Sequence, residues 1–137
     1  PRWVEAMTLL IGHYTDPTDP YFRIHDSGDI QSVEHLLMWV AVASNLPNIR
    51  FWMPTKEYKL YKAGRAIVGA EWPENLVVRL SAPMISKEPP SSFGTLPTST
   101  VAAGIGFECE AYKRGNVCGD CRACWVPGVK NIDYHVQ

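Results

Sequence analysis

Four cysteines near the end of the chain carry the clearest chemical signal. Cys109, Cys118, Cys121 and Cys124 follow the spacing C-x8-C-x2-C-x2-C. Thiolates are the soft ligands that iron–sulfur clusters and zinc prefer. Cysteines this close in sequence cannot brace distant parts of a fold as disulfides, so their clustering predicts a metal site. Free buried thiols are the alternative interpretation.

The spacing favours a cluster over zinc. Structural zinc sites usually pair two CxxC knuckles across a longer loop. A CxxCxxC run resembles the ferredoxin layout, in which three close cysteines hold three corners of a cubane. We therefore expect a [4Fe-4S] cluster bound by all four cysteines, with Zn²⁺ as the alternative metal. Gly119 lets the backbone wrap closely, and Trp125 can shield the cluster from water.

A second group of polar residues follows the apolar segments of the first half of the chain. Its members are His25, Asp26, Ser27, Asp29, Lys56 and Ser81. An imidazole, carboxylates, hydroxyls and an amine can perform general acid–base or nucleophilic chemistry if the fold gathers them. The alternative is that Asp26, Ser27 and Asp29 only close a turn and cap the next helix.

The elements that must position these residues alternate along the chain. The predicted strands are Tyr21–His25, Ile49–Met53 and Leu76–Leu80. The predicted helices are residues 3–11, a segment capped by Ser32 and running to about Asn45, and Glu57 to about Val68. Such alternation predicts a parallel, partial-barrel-like βαβαβ sheet. Since parallel strands end at one edge, we expect the second polar group to gather there.

The rest of the chain must connect this sheet to the cysteines. The segment from Pro83 to Pro97 is predicted to be an extended loop, Thr98 to Phe107 a strand, and Asn131 to Val136 a short final strand. Gly104 and Gly106 suit a close backbone approach. If Thr98–Phe107 runs parallel to the first strands, it delivers Cys109 to their carboxyl edge. The cluster would then border one cleft with His25, Asp29 and Lys56, whereas an antiparallel strand would place it at the opposite end.

Composition limits the class of protein. With 137 residues and 46% hydrophobic content, we expect one α/β domain over residues 1–137, with an irregular cysteine segment of about residues 107–125 wrapped around the metal. The net charge of -1 and the scattered basic residues do not support nucleic-acid binding. No membrane span or signal peptide is evident, so we expect a cytoplasmic protein that acts on a small-molecule substrate or a redox partner.

Several motifs resemble the phage-encoded gene product 88 family. They are the R-x-H-x-S-G-D pattern within Phe22–Asp29, the segment Phe51–Lys56 that ends in Thr-Lys, and a later Leu80-Ser81. The resemblance spans about residues 21–125, including the Cys-x-x-Cys-x-x-Cys-Trp ending. It implies a phage origin, a place in the host cytoplasm and an iron–sulfur site, but no particular reaction. The βα repeats also resemble part of a radical-SAM-type barrel, although the CxxxCxxC motif of that superfamily is absent.

Three functions are compatible with these features. The first is a small iron–sulfur protein whose cluster is structural or redox-active. The second is an esterase-like hydrolase in which Ser27 or Ser81 is the nucleophile, His25 or Lys56 is the base and a nearby aspartate orients it. The third is a radical or redox enzyme in which Cys109 is not a ligand and one iron stays open.

Overall fold

The computed structural model describes residues 2–25 and 28–136. Within them the α-helices are α1 (Arg2–Tyr14), α2 (Val33–Asn45) and α3 (Tyr58–Val68). The strands are β1 (Tyr21–Arg23), β2 (Arg50–Thr55), β3 (Leu76–Ser81), β4 (Thr98–Val101), β5 (Phe107–Glu108) and β6 (Asn131–Tyr134). One-turn helices occur at Gly69–Glu71, Ser91–Phe93, Ala111–Arg114 and Ala123–Trp125.

The predicted parallel βαβαβ unit is confirmed, and it forms half of a larger sheet. The strand order is β1-β2-β3-β4-β6-β5, and every neighbouring pair is parallel. The sheet curls into a half barrel. All six strands therefore end at one edge, which we call the carboxyl edge.

The helices cover one face of this sheet. Phe51, Met53, Val78 and Leu80 point from β2 and β3 into the main core, where they pack against side chains of α1, α2 and α3. Full burial of each such side chain contributes roughly 1.5–3 kcal/mol. Successive side chains of a strand point to opposite faces of the sheet. Trp52 and the β3 residue paired with it, Val77, therefore point away from the helices.

Local sequence explains where α2 begins and how closely it packs. The Ser32 hydroxyl accepts a hydrogen bond from the backbone N–H of His35 at 3.0 Å, which caps the helix as predicted. Gly64 of α3 faces Leu36 of α2, and a Cβ at Gly64 would lie 2.6 Å from the Leu36 side chain. The glycine therefore permits the close contact between the two helices.

The prediction of one strand over Thr98–Phe107 is wrong. β4 ends at Val101, and Gly104 and Gly106 both have a φ of 74°, a left-handed conformation that cannot continue a strand. The Asp133 carboxylate accepts a hydrogen bond from the N–H of Gly104 at 2.9 Å and so holds the turn. The chain then passes to the far side of β6, where it forms β5.

Two predicted strands are also longer than those observed. The first ends at Arg23, because His25 has a φ of 60°. The last ends at Tyr134. The expected parallel direction of β4 is confirmed, and Cys109 directly follows β5 at the carboxyl edge. In the described part of the chain, no helix is long and apolar enough to cross a bilayer.

Candidate functional site

The sheet face opposite the helices is covered in part by the cysteine segment, and we call it the cysteine face. Its centre is Arg79 of β3, whose side chain is 0% exposed. The guanidinium donates hydrogen bonds at 2.7–3.2 Å to the backbone carbonyls of Ala123, Cys124, Val126 and Val129. Arg79 therefore holds residues 123–129 against the sheet.

Among the residues that the structure describes, no carboxylate forms an ion pair with Arg79. Among the described residues, the ion pairs are Lys113 with Glu110 and Arg122 with Asp19. Burial lowers the pKa of Arg79, while nearby Cys124 and Tyr134 raise it. An arginine keeps its proton in proteins, so this face holds a buried positive charge whose ionisable neighbours include a thiol and a phenol.

The thiol of Cys124 lies beside that charge. Its sulfur is 3.3 Å from the hydroxyl of Tyr134, and the residue is 9% exposed. Burial raises the pKa of Cys124 to about 11, against the opposing effects of the Tyr134 hydrogen bond and Arg79; Cys109 and Cys118 raise it further. Burial also raises the pKa of Tyr134, as do Cys124 and Cys109. Cys109 and Cys118 therefore lie close enough to Cys124 to affect its ionisation.

The four thiols are unevenly exposed. Cys118 is exposed, Cys109 and Cys121 are half-buried, Cys124 is buried, and all four are free. The N–H of Cys121 donates to the carbonyl of Cys118 at 3.1 Å, which folds this stretch into a tight turn. In the ranges described, no three His, Cys, Asp or Glu side chains form a group compact enough for a metal ion.

Trp125, which follows Cys124 in the sequence, is packed against the sheet. It is buried in a small apolar cluster that includes Trp52, Ile132 and Cys124, with Cys109 at its margin. Its ring meets that of Trp52 edge to face at 5.3 Å, and its indole N–H donates to the carbonyl of Phe22 at 3.1 Å. The last cysteines are thus anchored to the sheet by a buried tryptophan as well as by Arg79.

A cleft of about 260 Å³ opens beside this cluster at the carboxyl edge. Lys56 and Ser81 both line it, as the sequence predicted for residues following β2 and ending β3. Ser99 of β4 donates a hydrogen bond to the Ser81 hydroxyl at 3.2 Å. Tyr134 also lines the cleft, which therefore reaches the surroundings of Cys124.

His25 lies apart from this cleft. Its ring packs against those of His35 and Trp39 on α2, at centroid distances of 5.4 and 6.1 Å. Neither His25 nor Asp29 is among the described residues that line the cleft. The structure therefore brings Lys56 and Ser81 together, but it places the imidazole on the helix side of the sheet.

Asp29 has a structural role at the turn. One carboxylate oxygen accepts hydrogen bonds from the N–H of Ile30, at 2.7 Å, and from the hydroxyl of Thr55. The other accepts from the N–H of Lys56 at 2.8 Å. Asp29 thus ties the loop after β1 to the end of β2. Asp26 and Ser27 lie outside the described residues.

The sequence interpretation missed Arg79, Tyr134 and Trp52. For Arg79 a signal exists, because it is the one charged residue in the apolar strand Leu76–Ser81. A charged side chain in a strand buried on both faces must find partners. Nothing local marks the other two, since aromatic residues are common in strands.

Comparison with known proteins places the chain in a family. The family model Gene product 88 matches residues 1–105, which is more than half of the chain and includes the strands and loops that form the cleft up to β4. The matched region ends before Cys109, so it does not extend to residue 125 as expected. No curated protein and no solved structure matches the chain. The chain belongs to the gene product 88 family.

Proposed function

We propose that this chain is a metal–thiolate protein that binds a [4Fe-4S] cluster through Cys109, Cys118, Cys121 and Cys124. Zn²⁺ is the alternative metal. The observation that carries the proposal is the buried guanidinium of Arg79, which is bonded to the carbonyls of the cysteine segment and has Cys124 as an ionisable neighbour.

The charges on the cysteine face support a bound thiolate. A buried cation is costly unless an anion or well-placed dipoles compensate it. The carbonyls around Arg79 supply dipoles, but the free thiol of Cys124, whose pKa is raised to about 11, is neutral near pH 7. A metal removes the proton from a coordinating thiol. A metal–thiolate group would therefore place negative charge next to Arg79.

The spacing of the cysteines in the sequence favours a cluster over a single ion. In a tetrahedral zinc site each sulfur lies about 2.3 Å from the metal, so the four sulfurs crowd together. A cubane keeps its four thiolates farther apart, at separate corners. The run of three cysteines at two-residue intervals matches the cubane layout, and Cys109 and Cys118 both raise the pKa of Cys124. When bound, such a cluster supplies electron transfer or structural stability.

The metal content of the purified protein tests this proposal. After anaerobic purification we expect a brown protein with iron and sulfide in equal amounts. Cys109→Ser, which removes the ligand outside the CxxCxxC run, should lose iron and lower the melting temperature. Asp120→Asn, an exposed change between two cysteines of the run, is the control and should keep both.

Each outcome separates the alternatives. Zinc without sulfide would replace the cluster by the alternative metal. A wild-type protein without bound metal, or a Cys109→Ser variant with unchanged iron content, would contradict the proposed ligand set. Reduction followed by electron paramagnetic resonance distinguishes a redox cluster from a structural one, because only a reducible cluster gains a signal.

Hydrolase activity stays a prediction. Of the candidate catalytic residues that the structure describes, Lys56 and Ser81 are the pair that lines the cleft. Both line the cleft, and an amine beside a serine can act as its base. Turnover of an activated ester that is lost in Ser81→Ala and kept in His25→Asn would support it. Equal turnover in both variants would remove it.

A further inference from the structure

The cleft at the carboxyl edge has a polar character of its own. Lys56, Ser81 and Ser99 line it, and so does Arg23, whose guanidinium lies over the Trp52 ring at 4.8 Å from the ring centroid. None of the described lining residues carries a carboxylate. The cleft therefore presents the positive charge of Lys56 and the hydroxyl of Ser81 as a donor. Ligands of open parallel sheets bind at this edge.

A buried donor without an acceptor lies at the same place. Trp52 lines the cleft and is 4% exposed, and its indole N–H has no hydrogen-bond partner among the described residues. Buried N–H groups are rarely left unpaired, because the loss of hydration is not recovered. An acceptor supplied from outside the chain would recover it if a small shift of the surrounding side chains opened the nitrogen to the cleft.

Size and the remaining lining restrict the ligand. At about 260 Å³ the cleft is slightly smaller than the roughly 300–1,000 Å³ of pockets for drug-sized ligands. Met84 and Ile85, both largely exposed, add apolar surface to its rim. A small molecule with one charged end and a short apolar body matches both features.

We propose that this cleft binds a small organic oxyanion, a carboxylate or a phosphate ester. The amine of Lys56 and the hydroxyl of Ser81, which accepts from Ser99, hold the anionic end. The indole N–H of Trp52 joins them once a shift of its neighbours opens it, and Met84 and Ile85 contact the apolar body. This site goes beyond the metal-binding function, and it does not depend on which metal the cysteines hold.

Calorimetric titration at constant ionic strength tests the site with three probes. They are benzoate, phenyl phosphate and the neutral benzamide. We expect at least one of the two anions to bind saturably and benzamide to release no heat of binding. The comparison of benzoate with phenyl phosphate identifies which oxyanion the cleft prefers.

Matched lysine variants locate the binding. Lys56→Met should weaken the affinity for the bound anion about tenfold, as expected for loss of a charged hydrogen bond. Lys62→Met makes the same charge change on the exposed surface of α3, away from the cleft, and should leave the affinity within about twofold. Ser81→Ala is a second, milder variant that should also weaken binding.

The site would be overturned by either of two results. One is that neither anion binds, or that benzamide binds as well as benzoate. The other is that the two lysine variants weaken binding equally, with melting curves showing both to be folded. The iron content of the same samples separates the two proposals. Anion binding by a protein without iron would support the anion site and would contradict only the proposed iron–sulfur cluster.

Discussion

At the scale of single residues, His25 shows how burial changes the chemistry of a side chain. Its backbone has a φ of 60°, and its ring lies against His35 and Trp39. Burial lowers the pKa of His25, and the proximity of His35 lowers it further, while Asp29 opposes both. The folded protein therefore favours the neutral ring.

The pH dependence of unfolding should report this neutral ring. Because the folded pKa of His25 is below the value of about 6.5 in the unfolded chain, the unfolded state binds more protons as the pH falls. The neutral ring therefore contributes fully to the free energy of unfolding above the unfolded pKa of about 6.5. This contribution is lost as the pH falls through the lower folded pKa. Between pH 7.5 and 5.5, the wild type should lose more unfolding free energy than His25→Asn, since asparagine tolerates positive φ and does not titrate.

Urea unfolding at the two pH values measures the difference. His13→Asn, at an exposed position in the last turn of α1, is the control and should behave as the wild type. An equal loss of stability in His25→Asn and wild type would show that His25 does not contribute to the pH dependence.

At the scale of elements, the turn between β4 and β5 determines where Cys109 emerges. Gly104 and Gly106 share a φ of 74° but differ in surroundings. A Cβ at Gly106 would lie 2.6 Å from the carbonyl oxygen of Asn131, whereas a Cβ at Gly104 would meet nothing within 4 Å. The expected close backbone approach is therefore confirmed at Gly106 alone.

Alanine at each glycine separates strain from contact. Both variants should lose about 1–2 kcal/mol of unfolding free energy, because alanine is strained at positive φ. Gly106→Ala should lose about 1–3 kcal/mol more, since backbone atoms of β6 must move. Chemical denaturation of the two variants measures the difference in unfolding free energy. Equal values would mean that β6 can move to accommodate the methyl group with no loss of stability.

At the scale of the whole molecule, the sheet joins two unlike halves. The helix face holds the main apolar core, and the cysteine face holds the smaller cluster of Trp52, Trp125 and Ile132. Arg79 connects β3 to the cysteine segment by four hydrogen bonds of 2.7–3.2 Å. Their acceptors lie 44 to 50 residues further along the sequence. Arg79 therefore attaches this segment to the sheet together with the buried Trp125.

Removal of that side chain should release the segment. Arg79→Met leaves several buried carbonyls without donors and should lower the unfolding free energy by about 3–5 kcal/mol, as when one member of a buried charged network is removed. It should also speed the reaction of Cys124 with a thiol reagent. Arg50→Met, an exposed arginine on β2, is the control. Labelling rates and stabilities alike in the two variants would contradict the anchoring role.

The sequence by itself determined the order and type of the first elements. The alternation of apolar strands with helices, one of them capped by Ser32, predicts βαβαβ, since strand and helix periodicity, caps and prolines act on neighbouring residues. From parallel pairing it also follows that Lys56 and Ser81 lie at one edge. The clustering of the cysteines is likewise visible in the sequence, although the metal they bind stays a prediction.

Only the tertiary structure decided which face each polar side chain occupies and what surrounds it. His25 turns toward α2 because of its own positive φ and the rings it meets there, and Arg79 becomes buried because a segment more than 40 residues away folds over it. The break after β4 depends on Asp133, which comes from a strand 29 residues beyond Gly104. Such contacts join residues far apart in sequence, and local preferences of the chain do not encode them.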